Sequence, residues 1–539
     1  FPLYYSDGFP GESSDGESNL LVFLNGGGQR KYQYYQGFYD AQLEQKLDFF
    51  TKGLSFNGAI NYSSASNYAK DILRNGVQGN FTGLNIIRFY RAYDYSKPMV
   101  DENGNLTYPL TDEIRWPTVD AQEGPVNANL PSLYGYNRQL NYRFQMKYKR
   151  KFDDHNVDAT AIMLRQNLVG RNGFAQRREE WIGRLSYNFK KRYLIEASGN
   201  YSGSEKFAPG LRFGFFPSVG AAWVISDEPF IKKLTKSWLD FFKVNYSYGI
   251  VGNDKVARFQ YTQTYGRTGS IPFGYDNLTN YGPQYSEGTI ANANATWETS
   301  TQQNLKISAD LIEKINFEID LYKSERKDIL MERRTVPSFV GFPDLPDANI
   351  GRTKSHGYEL KVGWNDNLGT DFNYFINFGT SFTENRIVYR DDPAGLDKYL
   401  KQAGKPIGWN SRRIAGQLYQ SIDDIFNGPN QNNGAGLSNL VPGDILFVDY
   451  NGDGVADAND QVPMKDLTYP QRTYNLNLGF TWKNLGFNAL LYGVTDVAYN
   501  YPGIFYFDFQ GGFVQAQPDV LTRWTPQTAS TAQKPALHL

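Results

Sequence analysis

Apolar and polar side chains alternate with a period of two along most of this chain. Ile315, Phe317, Ile319 and Leu321 fall on one side of an extended backbone, and Asn316, Glu318, Asp320 and Tyr322 fall on the other. The same split separates Leu140, Tyr142, Phe144, Met146 and Tyr148 from Asn141, Arg143, Gln145, Lys147 and Lys149. It also separates Phe242, Val244, Tyr246, Tyr248 and Ile250 from Lys243, Asn245, Ser247 and Gly249, and it recurs over 193–201 and 474–482. Each run predicts a strand with one greasy face and one wet face.

The connections between runs fall into two kinds. Short polar turns are expected at Thr51 to Gly53, Phe152 to Asn156, Phe189 to Arg192, Leu311 to Lys314 and Trp482 to Leu485. Long irregular segments run from Asp94 to Ser132, Gly269 to Thr296, Glu332 to Asn349 and Asp423 to Thr468. Helical signal is slight, and its clearest case is Asp227 to Thr235, where Asp227 is placed to cap a short amphipathic turn. About fifteen strands result, many longer than the ~5–6 residues usual in soluble sheets.

Two all-β architectures fit this pattern. One is a soluble propeller or string of sandwiches with the apolar rows facing a core. The other is a large antiparallel transmembrane β-barrel, with short periplasmic turns, long extracellular loops and apolar rows facing lipid. Strand length, the absence of a blade-length repeat, and aromatics crowding the tight turns (Tyr187, Phe189, Tyr193, Trp482, Phe487) favour the barrel.

Composition sharpens the choice. The 539 residues carry Lys+Arg 55 against Asp+Glu 56, a net charge of −1, so the basic excess that nucleic-acid binding needs is missing. No cysteine is present, which removes disulfides, thiolate metal sites and cysteine nucleophiles together. Mean hydropathy is −0.55 and no run approaches the ~20 apolar residues of a membrane helix. Yet 16% of the residues are aromatic, and a barrel hides its hydrophobicity by exposing only alternate positions to lipid. The first residues, Phe1 to Tyr4, carry neither a charged n-region nor an apolar h-region, so no signal peptide is read there.

Candidate chemistry is sparse. The most specific motif spans Asp449 to Asp460, an EF-hand-like loop inside the 443–463 part of a long extracellular segment. Asp449, Asn451, Asp453, Asp457 and Asp460 stand at loop positions one, three, five, nine and twelve, with Gly454 at the sharp turn and the Val455 carbonyl available. Hard oxygen donors in that order point to a structural Ca2+ ion; the competing reading is an Asp/Asn/Gly turn that satisfies its own backbone. Asp460 departs from the usual Glu, and neither flank reads as a helix.

With three histidines, His155, His356 and His538, there is little material for a triad or a histidine-rich metal site, and no enzyme is expected. The acid pairs Glu179–Glu180 and Asp391–Asp392 sit on neighbouring positions that point apart in a strand, so solvated loop or lumen charges are the expectation. The basic cluster Lys147, Lys149, Arg150 and Lys151 abuts a tight turn and reads as a periplasmic rim. Aromatics in irregular segments offer stacking surfaces for sugars or peptides, or else pack loop on loop: Tyr32, Tyr34, Tyr35, Tyr39, Trp409, Tyr419, Tyr499, Tyr501, Phe505 and Tyr506.

Several segments resemble the SusC/RagA family of TonB-linked outer-membrane proteins. Lys206 to Gly220, followed by Trp223 and Glu228-Pro229-Phe230, is similar to that family's most specific stretch. Trp297-Glu298, the hairpin from Asn304 to Leu330, Asn349-Ile350-Gly351, Gly357 to Leu360, Gly443-Asp444-Ile445 and Arg523 to Pro526 follow in family order; Ser355-His356 is a local departure. The resemblance implies a barrel of about 22 strands with an N-terminal plug, of which residues 1–539 make a partial barrel domain without plug, TonB-recruiting motif or final strands. It further implies TonB-dependent import of a glycan or peptide across the outer membrane. The implied partners are a SusD-like lipoprotein, the TonB complex, outer-membrane lipid and the oligosaccharide or peptide ligand. No residue is assigned to ligand by the resemblance, and a non-transporting pore or adhesion platform is the alternative.

Overall fold

The computed structural model describes residues 29–73, 97–102, 104, 106–109, 127–128, 132–170, 173–235, 238–273, 279–336, 339, 341, 345–431, 440–499, 508 and 516–537. Fourteen long strands follow one another: β1 (Gln29–Lys46), β2 (Leu54–Leu73), β3 (Ser132–Phe152), β4 (His155–Gly170), β5 (Gln176–Phe189), β6 (Tyr193–Ser204), β7 (Phe213–Val224), β8 (Leu239–Asn253), β9 (Glu298–Leu311), β10 (Ile315–Met331), β11 (Ala348–Leu368), β12 (Phe372–Tyr389), β13 (Arg472–Trp482) and β14 (Leu485–Thr495). Together with Asn127–Ala128 they form a 15-stranded sheet in which the long strands pair in chain order. Every pairing from β5 to β14 is antiparallel. The outermost strands β1 and β14 each have a single partner among the described residues.

Contacts divide the chain into two compact units, one of residues 1–44, 57–144 and 164–177 and one of residues 45–56, 145–163 and 178–539. In the first, Asn61 donates to Asp40 at 2.5 Å, Arg143 donates to Asn57 at 3.1 Å, and the rings of Tyr35 and Tyr68 meet edge-on. The short strands Met99–Val100 and Leu106–Thr107 pair with each other there.

In the second unit the strand register converts the period-two sequence pattern into continuous rows. Phe189, Tyr193, Trp223, Val244, Ile307, Ile319, Leu360, Thr380 and Tyr474 are successive cross-strand partners, nearly all apolar or aromatic. On the opposite face, Arg184, Ser198, Ser218, Gly249, Gln302, Ser324, Ser355 and Asn385 form a row without one apolar side chain. A one-residue slip at any strand would swap the faces, so the alternation and the register enforce each other.

The apolar face is not covered by protein. Ile315, Phe317 and Ile319 are only half-buried and Leu321 is exposed, as are Phe215 at 63%, Ile376 at 46% and Leu491 at 54%. A soluble sandwich would seal such rows in a core; here hydrocarbon is the medium that accepts them. No helix among the described residues is long and apolar enough to cross a membrane, and strand crossing needs none.

Tight turns join β3–β4, β5–β6, β9–β10, β11–β12 and β13–β14, and several adopt the left-handed backbone of hairpin turns: Asp153, Lys190, Lys191, Glu313 and Lys483 have φ between 45° and 58°. Ile312 does so as well at φ 48°, which strains a β-branched residue. Aromatics gather at this end as expected: Phe189, Tyr193 and Trp223 stack in series, and Phe372, Phe480 and Phe487 do the same. Such a girdle suits a membrane–water interface.

The helical expectation needs correction. The helix runs Pro229–Leu234 behind a 3-10 turn at Ile225–Asp227, and Glu228 holds the N-cap position without a side-chain cap bond. Asp227 does not cap; it pairs with Lys232 at 2.8 Å. Proline at the first helical position starts the helix without needing a cap, since its missing N–H has no partner there anyway.

Candidate functional site

At the end of the second unit opposite the tight turns, residues of two long connections pack onto the polar face at Phe216. The stretch from Lys206 builds their core. Phe207 is fully buried and its ring lies 5.3 Å from that of Trp297; Phe216, projecting from β7, meets Trp297 edge-on at 5.2 Å. Val256 and Leu330 complete the cluster. Phe216 stands on the polar face, and a Cβ on Gly252 would fall 2.0 Å from its ring, so β8 must be bare at that position. The indole N–H of Trp297 donates to the Arg212 carbonyl at 3.1 Å, and Arg212 donates back to the Phe207 carbonyl at 3.2 Å.

Polar groups around this core are buried and partnered. Asp254 accepts from Ser204 at 2.8 Å and takes ion pairs from Arg178 at 3.6 Å and Lys206 at 3.8 Å. Glu298 accepts from Asn253 at 2.8 Å and from the Leu330 backbone at 3.2 Å. Burial of Glu298 is tolerable here because hydrogen bonds satisfy its carboxylate, and half-buried Asp254 is ion-paired as well.

A second loop assembly is built from residues 390–431 and 440–471. Asp391 is buried, contrary to the solvated charge expected, and accepts from the Arg334 backbone at 2.7 Å and from the Thr335 backbone and hydroxyl at 3.0 Å. Burial pushes its carboxyl up, but these bonds outweigh that and hold it below the usual carboxylate range. Asp392 accepts from the backbones of Gln402 and Ala403, so the pair has two structural duties and no shared one. Gln431, nearly fully buried, donates to the Ile445 carbonyl at 3.0 Å and accepts from the Phe447 backbone at 2.8 Å. Nothing in a single glutamine among polar neighbours signals such a clamp beforehand.

In the 449–460 loop the five predicted side-chain donors are engaged locally. Asp449 accepts from the Gly452 and Gly454 backbones at 2.7 Å each, and Asn451 donates to Asp453 at 2.9 Å. Asp453 in turn accepts from the Val455 backbone, and Asp457 from that of Asn459. Asp460, with no exposure, accepts from Tyr450 at 2.7 Å, Asn451 at 3.2 Å and Asp457 at 2.7 Å. Burial raises the Asp460 carboxyl, and the three backbone bonds more than reverse that. Among the described residues no three acidic, histidine or cysteine side chains are grouped to hold a metal ion.

The remaining candidates scatter. Glu179 accepts from the Trp181 indole and Glu180 from Arg178, on opposite faces of β5. His155 meets the Tyr187 hydroxyl at 2.7 Å and His356 lies 3.9 Å from Glu384, far apart in the strand order. Tyr32, Tyr34, Tyr35 and Tyr39 belong to strand β1 rather than to a loop, because period-two spacing carries that strand further toward the chain start than its polar residues suggest. Tyr419 is buried as loop packing, the Lys405 ammonium sits 3.7 Å over the Trp409 ring, and Tyr499 is 74% exposed. Tyr501, Phe505, Tyr506 and His538 lie outside the described residues.

One cluster at the tight-turn end escaped sequence reasoning. Buried Glu228 accepts from the Tyr193 hydroxyl at 2.5 Å and the Trp223 indole at 3.1 Å, with Arg192 at 3.6 Å. The Tyr193 bond is the chief reason its carboxyl sits low.

Comparison with known proteins places these features in context. Residues 2–533 match the family described as TonB dependent receptor-like, beta-barrel. TonB-dependent receptor P39 of Formosa agariphila is 27% identical over 245 residues, covering 45% of this chain and 22% of that protein. TonB-dependent receptor SusC of Bacteroides thetaiotaomicron is 24% identical over 353 residues, 62% of this chain and 32% of that protein. The solved RagAB peptide importer in its open-open state superposes with a TM-score of 0.63 at 16% identity, covering 95% of this chain and 52% of that one. Its closed-closed state gives 0.60, also at 16% identity, over 94% of this chain and 54% of that one. The chain thus spans about a fifth to a third of these two curated relatives and about half of these solved chains.

Proposed function

The chain belongs to the TonB dependent receptor-like β-barrel family, an outer-membrane family of transporters rather than enzymes, and from that premise we propose that it forms barrel wall and mouth of an energised importer. The cargo in this reading is a glycan or peptide nutrient, delivered with a SusD-like surface lipoprotein and driven through the TonB complex. The family match and the likeness to SusC support the TonB partner, and the likeness to the RagAB peptide importer supports the lipoprotein partner and the peptide class of cargo. The observation that carries the reading is the pair of faces on the sheet. A nearly continuous apolar and aromatic row is left uncovered by protein, and a row of arginine, serine, glycine and amide residues opposes it across eight strands. The loop residues Phe207 and Trp297 pack onto Phe216 of that polar face, which supports a folded mouth in this reading.

Deleting the full-length gene and growing cells on single oligosaccharides or peptides tests this. Loss of growth on one nutrient class, with a surface lipoprotein co-purifying in detergent, is the expected result. Unimpaired growth on all of them, with ion conductance in planar bilayers retained by the purified protein, would establish the passive pore instead.

A structural Ca2+ ion in the 449–460 loop is a separate proposal, supported by the donor spacing of Asp449, Asn451, Asp453, Val455, Asp457 and Asp460. Calcium titration by calorimetry, with Asp449→Ala/Asp453→Ala as control, decides against the self-satisfied turn. Absence of heat in the parent protein would leave the turn as the whole explanation.

A further inference from the structure

The outward, apolar face of the second unit carries a groove of about 600 Å³ whose exposed lining is almost wholly apolar. It lies on the side of the sheet turned to lipid, because Leu185, Ala197 and Val219, which line it, are successive cross-strand partners on the face of Phe189, Tyr193 and Trp223. Its floor is made of small residues, Ala159 and Ala161 on β4, Gly183 on β5, and Ala197 and Gly199 on β6. Met146 and Tyr148 of β3 wall one side, and Phe215 and Val219 of β7 wall the other.

The two glycines differ in what holds them bare. A Cβ on Gly199 would fall 2.9 Å from the ring of Phe215, so the wall itself requires that glycine. A Cβ on Gly183 would meet nothing within 4 Å. Glycine in a strand interior weakens the strand and marks a close approach from outside. On this face the approaching matter is the bilayer, and a hollow in an otherwise ridged wall fixes one acyl chain where a smooth wall would let it slide.

Charge selects which lipid. The Lys149 backbone donates to the Gly53 carbonyl at 2.9 Å, which sets Leu54 beside Tyr148 where the groove meets the tight turns. Arg150 follows Tyr148 on the same face, its guanidinium 4.5 Å over the Phe152 ring, and Lys52 is exposed in the neighbouring turn. Of the acids in these two turns, Asp48 accepts from the Gly53 backbone at 2.8 Å and Asp154 pairs with Lys190 at 3.6 Å. Asp153 is then the one acid set against Lys52, Arg150 and Lys151, so the balance is basic. Phe49 and Phe50, 72% and 75% exposed with their rings 4.4 Å apart, mark the membrane–water interface at the same turns. The cations therefore stand at headgroup depth and the groove runs from them into hydrocarbon.

We propose that this groove holds an acyl chain of an anionic phospholipid from the leaflet at the tight-turn end, with Arg150 and Lys52 as partners of its phosphate. The proposal depends on the outward face alone and is indifferent to what the barrel carries.

The test uses the full-length protein in detergent, native mass spectrometry, and three probes: palmitoyl-oleoyl phosphatidylglycerol, phosphatidylethanolamine with the same chains, and inorganic phosphate. Phosphatidylglycerol should bind about thirtyfold tighter than phosphatidylethanolamine, roughly fivefold for each cation. The double change Lys52→Gln/Arg150→Gln should erase that preference, and Arg150→Lys should keep it. Gly183→Leu should weaken both lipids by about fifteenfold, the worth of two displaced methylenes. Heat-modifiable gel mobility shows which variants fold, and Ala161→Leu on the same floor replaces Gly183→Leu should that one fail. Equal affinity for the two lipids, a preference surviving in the double variant, or lipid binding untouched by a folded groove-filling variant would each overturn the proposal. So would inorganic phosphate binding as tightly as the lipid, which removes the groove from the account. A dimer in detergent that Gly183→Leu splits would give the groove to a second copy of the chain instead.

Discussion

Replacing Ile319 by arginine puts a charge on the face assigned to lipid. Ile319 lies four residues beyond Ile315, whose cross-strand partner is Trp364 near the tight-turn end. Four residues rise about 13 Å along a strand, and a tilt of about 40° converts that to about 10 Å of depth. An apolar band of about 25 Å has its middle close by, where an arginine costs about 2–4 kcal/mol. The folding equilibrium into vesicles should fall by about 30- to 900-fold. The control is Asn316→Arg, on the opposite face of the same strand, exposed and in a row with Asp310 and Gly363. That change belongs within about 0.5 kcal/mol of the parent. Guanidinium titration of the full-length protein in phosphatidylcholine vesicles, read by heat-modifiable gel mobility, compares the two directly. Equal penalties, or a larger one for Asn316→Arg, would refute the assignment of faces and everything built on it.

Trp297→Ala opens a cavity against Phe207 and Phe216 and orphans the Arg212 carbonyl; a loss of about 3–5 kcal/mol is expected, confined to the loops, so hydrogen exchange should accelerate over 205–212 and 291–297 while β9 to β12 stay protected. Because the Asp391 carboxyl is held low in the folded protein, its contribution is complete above the unfolded value near 4 and is lost as pH falls through the folded one. Exchange at Arg334 and Thr335 should therefore rise only in acid, and Asp391→Asn should raise it at neutral pH and flatten the profile. Ile312→Gly relieves a left-handed backbone and should stabilise the β9–β10 hairpin by up to about 1 kcal/mol in the same vesicle titration; destabilisation would mean that the side chain, 40% exposed, has a packing role.

Strand count, the position of most turns and the identity of both faces were legible in the residues because side-chain period and backbone geometry are local properties. Ile315 to Leu321 announces its faces with no knowledge of its neighbours, and Lys206 to Gly220 announces its family. Partnerships across long separations were not legible. That Asp391 serves Thr335, that Gln431 clamps the backbone of Ile445 and Phe447 and that Glu228 serves Tyr193 and Trp223 instead of its own helix depends on which segments the fold brings side by side. Lys243 shows the division most plainly. In the sequence it is one polar position in an alternating run, indistinguishable from Lys147 or Lys149. Only the register sets it between Val224 and Ser308, because cross-strand partnership is decided by distance in space and alternation is decided by the chain.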